Sequence, residues 1–158
     1  MPRPPIVDPA TIDTSTTQYG IETIRKFNRQ RYEMEQLTAI VSVDLEKRLI
    51  IAYKDISKDE FWTRGHIPGR PLMPGVVMCE AVAQAASFLI AQCVKDLKDF
   101  VGFGGLDGVR FRGEVKPGDR FVIVGQIESL RRAYAVMNAQ AFVGTRMVFE
   151  GTIIGVPM

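Results

Sequence analysis

The chain has 158 residues, of which 46% are hydrophobic and 24% are charged, a size and composition typical of one soluble globular domain. Its 20 basic and 18 acidic residues leave a net charge of +2, which is too balanced to indicate a nucleic-acid-binding protein. Two cysteines and one histidine are too few for a four-ligand structural zinc site, so no metal is expected.

The first twenty residues are rich in proline and then in threonine and serine. Because proline resists both helix and sheet, residues 1–20 are predicted to form an extended or flexible arm before a single domain spanning 21–158. The segment lacks the apolar run and small-residue cleavage site of a secretory signal, so a cytoplasmic location is expected.

A short helix and a hairpin are predicted next. Ile21, Ile24 and Phe27 fall on one helical face. Two apolar, β-branched runs follow, Leu37 to Val43 and Arg48 to Tyr53, separated by the turn sequence DLEK. Residues Lys54 to Pro74 contain so many glycines and prolines that a long loop is predicted, and such loops are often functional.

The stretch from Val76 to Leu97 is apolar on nearly all sides, which predicts a helix buried by its surroundings. Its length approaches that of a membrane span, but Glu80, Gln84, Ser87 and Gln92 lie within it and no second candidate exists, so burial in protein is the preferred interpretation. Three or four further strands are predicted over Phe100–Val109, Arg120–Ser129, Ala133–Val143 and Arg146–Gly155. One buried helix among antiparallel strands indicates an α+β fold with a curved sheet wrapped around that helix.

His66 is the only histidine and lies in GHIPGRPLMPG, directly before the buried helix. A lone histidine is more often a structural or surface residue than a catalyst. The prolines that follow it restrict the backbone, however, and would hold the imidazole at a defined place.

Glu80 is the sole ionisable residue between Val76 and Val94. Burying a carboxylate among apolar side chains is costly unless it is neutralised or paired, and a carboxyl that keeps its proton can donate it to a leaving hydroxyl. Glu80, Gln84 and Ser87 have i, i+4, i+7 spacing and so form one polar line on the helix. That line is either the wall of a site or a satisfied polar seam.

The start of the helix supplies a third element, because its first backbone N–H groups have no intrahelical partner. Gly75 would let a ligand approach these donors closely. With the helix dipole they could hold a thioester carbonyl and stabilise negative charge that develops on it, although every helix start needs some capping.

At these residues the sequence resembles the FabZ-type beta-hydroxyacyl-acyl carrier protein dehydratases, whose motif reads approximately GHFPxxPxxPGVLxxEAMAQ. Here it stands as GHIPGRPLMPGVVMCEAVAQ, from Gly65 to Gln84. A second block, FGGLDGVRFRGEVKPGDR from Phe103 to Arg120, looks like the family's FAGIDxxRFxxPVxPGD. Ile67 replaces the usual aromatic residue after the histidine, and Gly113 and Glu114 replace a basic residue and a proline.

The resemblance implies a hotdog fold and a cofactor-independent dehydratase that makes trans-2-enoyl thioesters in fatty-acid synthesis. His66 would be the base at the alpha carbon, and Glu80 would protonate the departing beta hydroxyl. Gly75 and Val76 would bind the substrate at the helix start, and Gln84 would support Glu80.

The implied partners are an acyl carrier protein with a phosphopantetheine-linked acyl chain and a second copy of the chain, in a homodimer or a trimer of dimers. His66 of one subunit would then face Glu80 of the other. No nucleic acid or membrane partner is expected. Seven basic residues are hypothesised to form a docking surface for the acidic carrier protein: Arg64, Arg70, Arg110, Arg112, Lys116, Arg131 and Arg132.

Fold alone does not fix function, so other hotdog activities stay open. These are an acyl-CoA thioesterase, an enoyl-CoA hydratase and a non-catalytic subunit that binds acyl chains. The presence of both His66 and Glu80 favours reversible addition of water over hydrolysis.

Overall fold

A computed structural model describes residues 1–158. The helices and strands, in chain order, are α1 (Ile21–Phe27), β1 (Ala39–Asp44), β2 (Leu49–Asp55), α2 (Gly75–Cys93), β3 (Val101–Phe111), β4 (Arg120–Leu130), β5 (Ala135–Val143) and β6 (Arg146–Pro157). Two short 3-10 helices, Pro9–Thr11 and Tyr32–Met34, precede β1.

The six strands form one antiparallel sheet in the order β1-β2-β4-β5-β6-β3. The sheet wraps around α2, which packs against five of the six strands. This is the α+β hotdog arrangement that the sequence predicted. It leaves β1 and β3 at the two edges of the sheet.

Helix α2 is the centre of the core. Apolar and small side chains cover it on nearly every side, and 12 of its 19 residues are buried. It is the one helix long and apolar enough to cross a membrane, but 72% of its most apolar window is buried inside the protein. The interpretation of this segment as a core helix is therefore confirmed.

The predicted elements are all present, with shifts at their ends. Helix α2 was expected to continue to Leu97 but ends at Cys93, because Lys95, Asp96 and Lys98 are charged and exposed and so interrupt the apolar surface that buries the helix. Strand β3 extends two residues past the expected end at Val109, to Phe111. The pairing of Phe111 with Phe149 of β6 stabilises this extension, and such long-range pairing is not visible in a local pattern.

No helix or strand interrupts residues 56–74, as the density of glycine and proline predicted. The backbone is nevertheless fixed at both ends. The N–H of Ile56 donates to Asp119 O at 3.0 Å, and the N–H of Met73 donates to Val115 O at 2.7 Å. Trp62 is buried in the core between these points, so the loop is built as part of the domain.

Residues 1–20 run across the outer face of the sheet. Gln140 and Glu150 lie opposite each other on this face, in β5 and β6. The N–H of Arg3 donates to Glu150 Oε2 at 2.9 Å, and the N–H of Ile6 donates to Gln140 Oε1 at 2.8 Å. Further on, Tyr19 pairs with Ile40 along the outer edge of β1.

Candidate active site

His66 is held by its own loop. Its N–H donates to Trp62 O at 2.8 Å, which closes a turn around the buried indole. The next residue, Ile67, has φ of 61°, a left-handed conformation that β-branched residues rarely adopt. Strained backbone of this kind costs about 1–3 kcal/mol and persists only where the surroundings enforce it. The loop therefore fixes the place of the imidazole.

The hydrogen bonding of His66 selects the tautomer of its neutral ring. Nδ1 lies 2.7 Å from Leu72 O, and a carbonyl oxygen can only accept, so Nδ1 carries the hydrogen. In the neutral ring the other nitrogen, Nε2, then keeps a free lone pair. Since the side chain is exposed, Nε2 is available to accept a proton from a bound substrate.

The cavity beside His66 has a volume of about 440 Å³ and mostly apolar walls, and it reaches the first residues of α2. The first hydrogen bonds of this helix run from Val77 and Met78 to Pro74 O, at 2.9 and 3.1 Å. The N–H groups of Gly75 and Val76 precede them and so have no intrahelical acceptor. Two backbone donors thus lie at the wall that faces His66.

Gly75 is needed for packing as well as for access. A Cβ at this position would lie 2.7–2.9 Å from the ring of Phe111, so any larger residue would require that ring to move. Phe111 itself is 52% exposed and lines the same cavity. Phe111 thus joins the candidate site, although no local sequence signal singled it out.

Glu80 is half-buried, and Gln84 supplies its polar partner: Gln84 Nε2 donates to Glu80 Oε1 at 2.8 Å. Gln84 is itself buried and fixed by the segment before β1. Its Nε2 also donates to Met34 O at 2.7 Å, and its Oε1 accepts from the N–H of Gln36 at 2.9 Å. The expected contact between Gln84 and Glu80 is therefore present.

His66 and Glu80 do not meet within one chain. Glu80 borders a second cavity, of about 120 Å³, between α2 and the facing ends of β3 and β6. Around the helix, at 100° per residue, Gly75 and Met78 of the His66 cavity lie roughly opposite Glu80, whereas Val76 of that cavity lies one turn before Glu80 on the same side. His66 and Glu80 thus line separate cavities of one chain.

A polar groove of about 580 Å³ adjoins the His66 cavity, with which it shares Gly113 and Glu114. Lys116 and Arg146 line this groove, and neither forms an ion pair within the chain. Arg146 Nη2 donates to Glu114 O at 3.1 Å, and its guanidinium occupies the space that a side chain at Gly113 would need.

Arg146 was not among the seven basic residues proposed from sequence for docking, since it lies far along the chain from His66, at the start of β6. Two of those seven have acidic partners instead. Arg112 pairs with the buried Glu150, and Arg70 pairs with Glu114. The unpaired basic residues beside the His66 cavity therefore differ in part from the seven residues that the sequence suggested for docking.

A family model described as "FabA-like domain" matches residues 28–152. The chain is 35% identical over 136 residues to the 3-hydroxyacyl-[acyl-carrier-protein] dehydratase FabZ of Chlamydia trachomatis serovar L2, covering 85% of this chain and 89% of that protein. It is 34% identical over 143 residues to the enzyme of the same name from Variovorax paradoxus, and this match covers 89% of this chain and 95% of that protein.

Among solved structures, the chain resembles the dehydratase heterocomplex ApeI:P from Xenorhabdus doucetiae with a TM-score of 0.72 and 13% identity, covering 85% of this chain and 90% of that one. The chain also resembles a hypothetical thioesterase with coenzyme A from Streptococcus pneumoniae, with a TM-score of 0.65 and 11% identity. This match covers 88% of this chain and 97% of that one. At these identities the likeness shows the hotdog fold alone.

Proposed function

The chain belongs to the FabA-like domain family, and we propose from that membership that it dehydrates 3-hydroxyacyl thioesters carried by an acyl carrier protein. The product would be a trans-2-enoyl thioester for fatty-acid synthesis. The observation that carries the proposal is the hydrogen bond from His66 Nδ1 to Leu72 O, which leaves Nε2 free. This nitrogen opens on the same cavity as the N–H groups at the start of α2.

In the proposed reaction, His66 Nε2 takes the proton from the alpha carbon of the substrate. The electron pair of that C–H bond forms the new double bond as the bond from the beta carbon to its hydroxyl breaks. The N–H groups of Gly75 and Val76 would donate to the thioester oxygen as negative charge develops there. Glu80 would supply the proton with which the hydroxyl leaves as water.

Because His66 and Glu80 line separate cavities of one chain, we propose that each site combines His66 of one subunit with Glu80 of a second. The exposed apolar side of β3 supports this dimer. Phe103, Leu106 and Phe111 pair with Gly155, Ile153 and Phe149, and directly paired residues share a face of the sheet. Ile153 and Phe149 are buried in the core, so these β3 side chains also lie on the helix side.

They are nevertheless 52%, 42% and 52% exposed, although α2 packs against this strand. An uncovered apolar face beside an open strand edge is a docking surface for another chain. The opposite edge differs, since Tyr19 and Gln18 of the same chain already pair with β1. The dimer is therefore proposed through β3, and a trimer of such dimers would keep the same pair of sites.

The test is hydration of crotonyl and longer 2-enoyl thioesters, followed by loss of enoyl absorbance. The wild type should hydrate them, and His66→Ala and Glu80→Gln should each lose about 10²–10⁴-fold in rate, the usual contribution of a general acid or base. Release of free thiol instead would indicate a thioesterase. Activity that survived both substitutions would contradict the assigned pair.

An acyl carrier protein is the proposed donor of the substrate, and the groove with Lys116 and Arg146 is its proposed contact, because both cations lie unpaired beside the His66 cavity. Lys116→Glu and Arg146→Glu should each raise KM for the carrier-bound substrate, since a rim charge steers association. Both should leave KM for an N-acetylcysteamine thioester unchanged. Lys26→Glu, at an exposed position on α1 outside the groove, is the matched control. Equal effects on both substrates would rule out carrier contact.

A further inference from the structure

The cavity beside Glu80 contains more polar groups than an alkyl chain would require. Its walls include the apolar side chains of Ile90, Val101 and Ile153, as expected for a pocket that takes an acyl chain. Gln30 and Ser87 line it as well. Neither residue belongs to the proposed catalytic pair, His66 and Glu80, so their presence in the pocket needs a separate explanation.

Gln30 and Ser87 have unused hydrogen-bonding capacity. The Oε1 atom of Gln30 is buried and has no hydrogen-bond partner. Ser87 is only 7% exposed, and its hydroxyl makes no hydrogen bond within the chain. Buried polar groups are normally paired, and an exception calls for a specific explanation. Gln84, in contrast, uses both its oxygen and its nitrogen within the protein.

The polar groups lie in order along the pocket. Ser87 is seven residues after Glu80, which places it about 10 Å further along α2 on the same side of the helix. Gln30 lines the same pocket as Gln84 and Ser87. An acyl chain that starts at Glu80 and follows the helix would therefore pass both Gln30 and Ser87.

We propose that Gln30 and Ser87 make this pocket selective for acyl chains that carry a hydroxyl group beyond the beta carbon. The substrate hydroxyl would donate to Gln30 Oε1 and accept from the hydroxyl of Ser87. An unsubstituted alkyl chain would bury both groups without partners, and such sites discriminate strongly against analogues that lack the bonding group. This inference rests on the proposed function, because it concerns the chain of the same thioester.

The experiment compares kcat/KM for hydration of two sets of 2-enoyl thioesters of equal chain length. One set is unsubstituted, and the other carries a single hydroxyl at successive positions along the chain. The wild type should favour one hydroxylated position by about tenfold or more, the value of a neutral hydrogen bond plus the relief of an unpaired buried group. Equal rates at every position would overturn the inference.

Gln30→Leu and Ser87→Ala should each reduce this preference, and the double variant should favour the unsubstituted chain. Gln126→Leu, at an exposed position on β4, is the control and should keep the wild-type preference. Thermal unfolding confirms that each variant is folded, and either variant alone can show the effect. A preference unchanged in both folded variants would also overturn the inference.

Failure of the inference is distinct from failure of the proposed function. If unsubstituted and hydroxylated thioesters are hydrated equally well, the dehydratase assignment holds and only the chain selectivity is wrong. If no enoyl thioester is hydrated, the assignment is wrong and the selectivity falls with it.

Discussion

Gln84 shows how one side chain ties the N-terminal segment to the candidate site. Its carboxamide donates to Met34 O and Glu80 Oε1 and accepts from the N–H of Gln36. Because the first and last of these contacts are to backbone, the orientation of the amide is fixed. Gln84 therefore presents a donor to Glu80, and we propose that it acts as a positioning residue for it.

Replacing Gln84 with leucine should lower both stability and activity. The N–H of Gln36 and the O of Met34 would lose their partner, at a cost of about 1–3 kcal/mol for each group left buried and unpaired. Hydration of crotonyl thioester should fall by up to about a hundredfold as Glu80 loses its position. Urea unfolding and kcat measure the two effects.

Gln92→Leu on the same helix is the matched control. The Nε2 of Gln92 is buried without a partner, so leucine removes an unsatisfied donor and should leave stability equal or higher. A Gln84→Leu variant as stable and active as Gln92→Leu would contradict the positioning role.

At the scale of elements, the N-terminal arm is joined to the sheet through Glu150. Burial opposes ionisation of this carboxyl, but the Arg3 N–H and the Arg112 guanidinium outweigh it and hold the pKa of Glu150 below its ordinary value of 4.5. The charged form is therefore bound more favourably in the folded chain than in the unfolded chain.

The sign of the pH dependence follows from that lowered pKa. The stability contributed by Glu150 is fully present above pH 4.5 and is lost as the pH falls through the lower folded pKa. The free energy of unfolding of the wild type should thus decline more steeply below pH 4.5 than that of Glu150→Gln. Urea titrations of both proteins across this range give the comparison. Parallel curves would show that the arm contact does not depend on the charge.

At the scale of the whole molecule, the proposed sharing of each site between His66 of one subunit and Glu80 of another predicts that activity depends on a second subunit. His66→Ala and Glu80→Gln should each be inactive alone and regain activity when the two are unfolded together and refolded. Half of the dimers would be mixed, and each mixed dimer has one intact site, so about a quarter of wild-type activity is expected for an isologous dimer. No recovery would show that both residues act within one chain.

A charge on the exposed side of β3 should separate the subunits. Leu106→Lys places an ammonium group in the proposed interface and is expected to give a folded monomer with at least a hundredfold less hydration activity. Light scattering after size-exclusion chromatography measures the mass. Leu45→Lys is the control, because Leu45 is similarly exposed in the β1–β2 turn, away from β3. A dimeric Leu106→Lys protein would contradict this interface.

The sequence by itself determined which segments form helices and strands and which residues are candidates for the active site. Helix α2 and the strands were predictable because their periodicity reflects burial that each element needs wherever it packs. His66 and Glu80 stood out because a proline-rich turn and an acid in an apolar helix are unusual locally. The motif from Gly65 to Gln84 then indicated the family, which the comparisons confirm.

Only the tertiary structure decided how these parts are arranged. The placement of β3 beside β6 at the sheet edge depends on pairing between residues far apart in the chain, and so does the passage of Arg146 over Gly113. The same holds for the backbone of Met34 and Gln36 that holds Gln84. Local sequence patterns record which side chains must be buried or paired, whereas the choice of partner comes from long-range packing. For that reason the resemblance could imply that His66 and Glu80 come from different subunits, but only the folded chain places them in separate cavities.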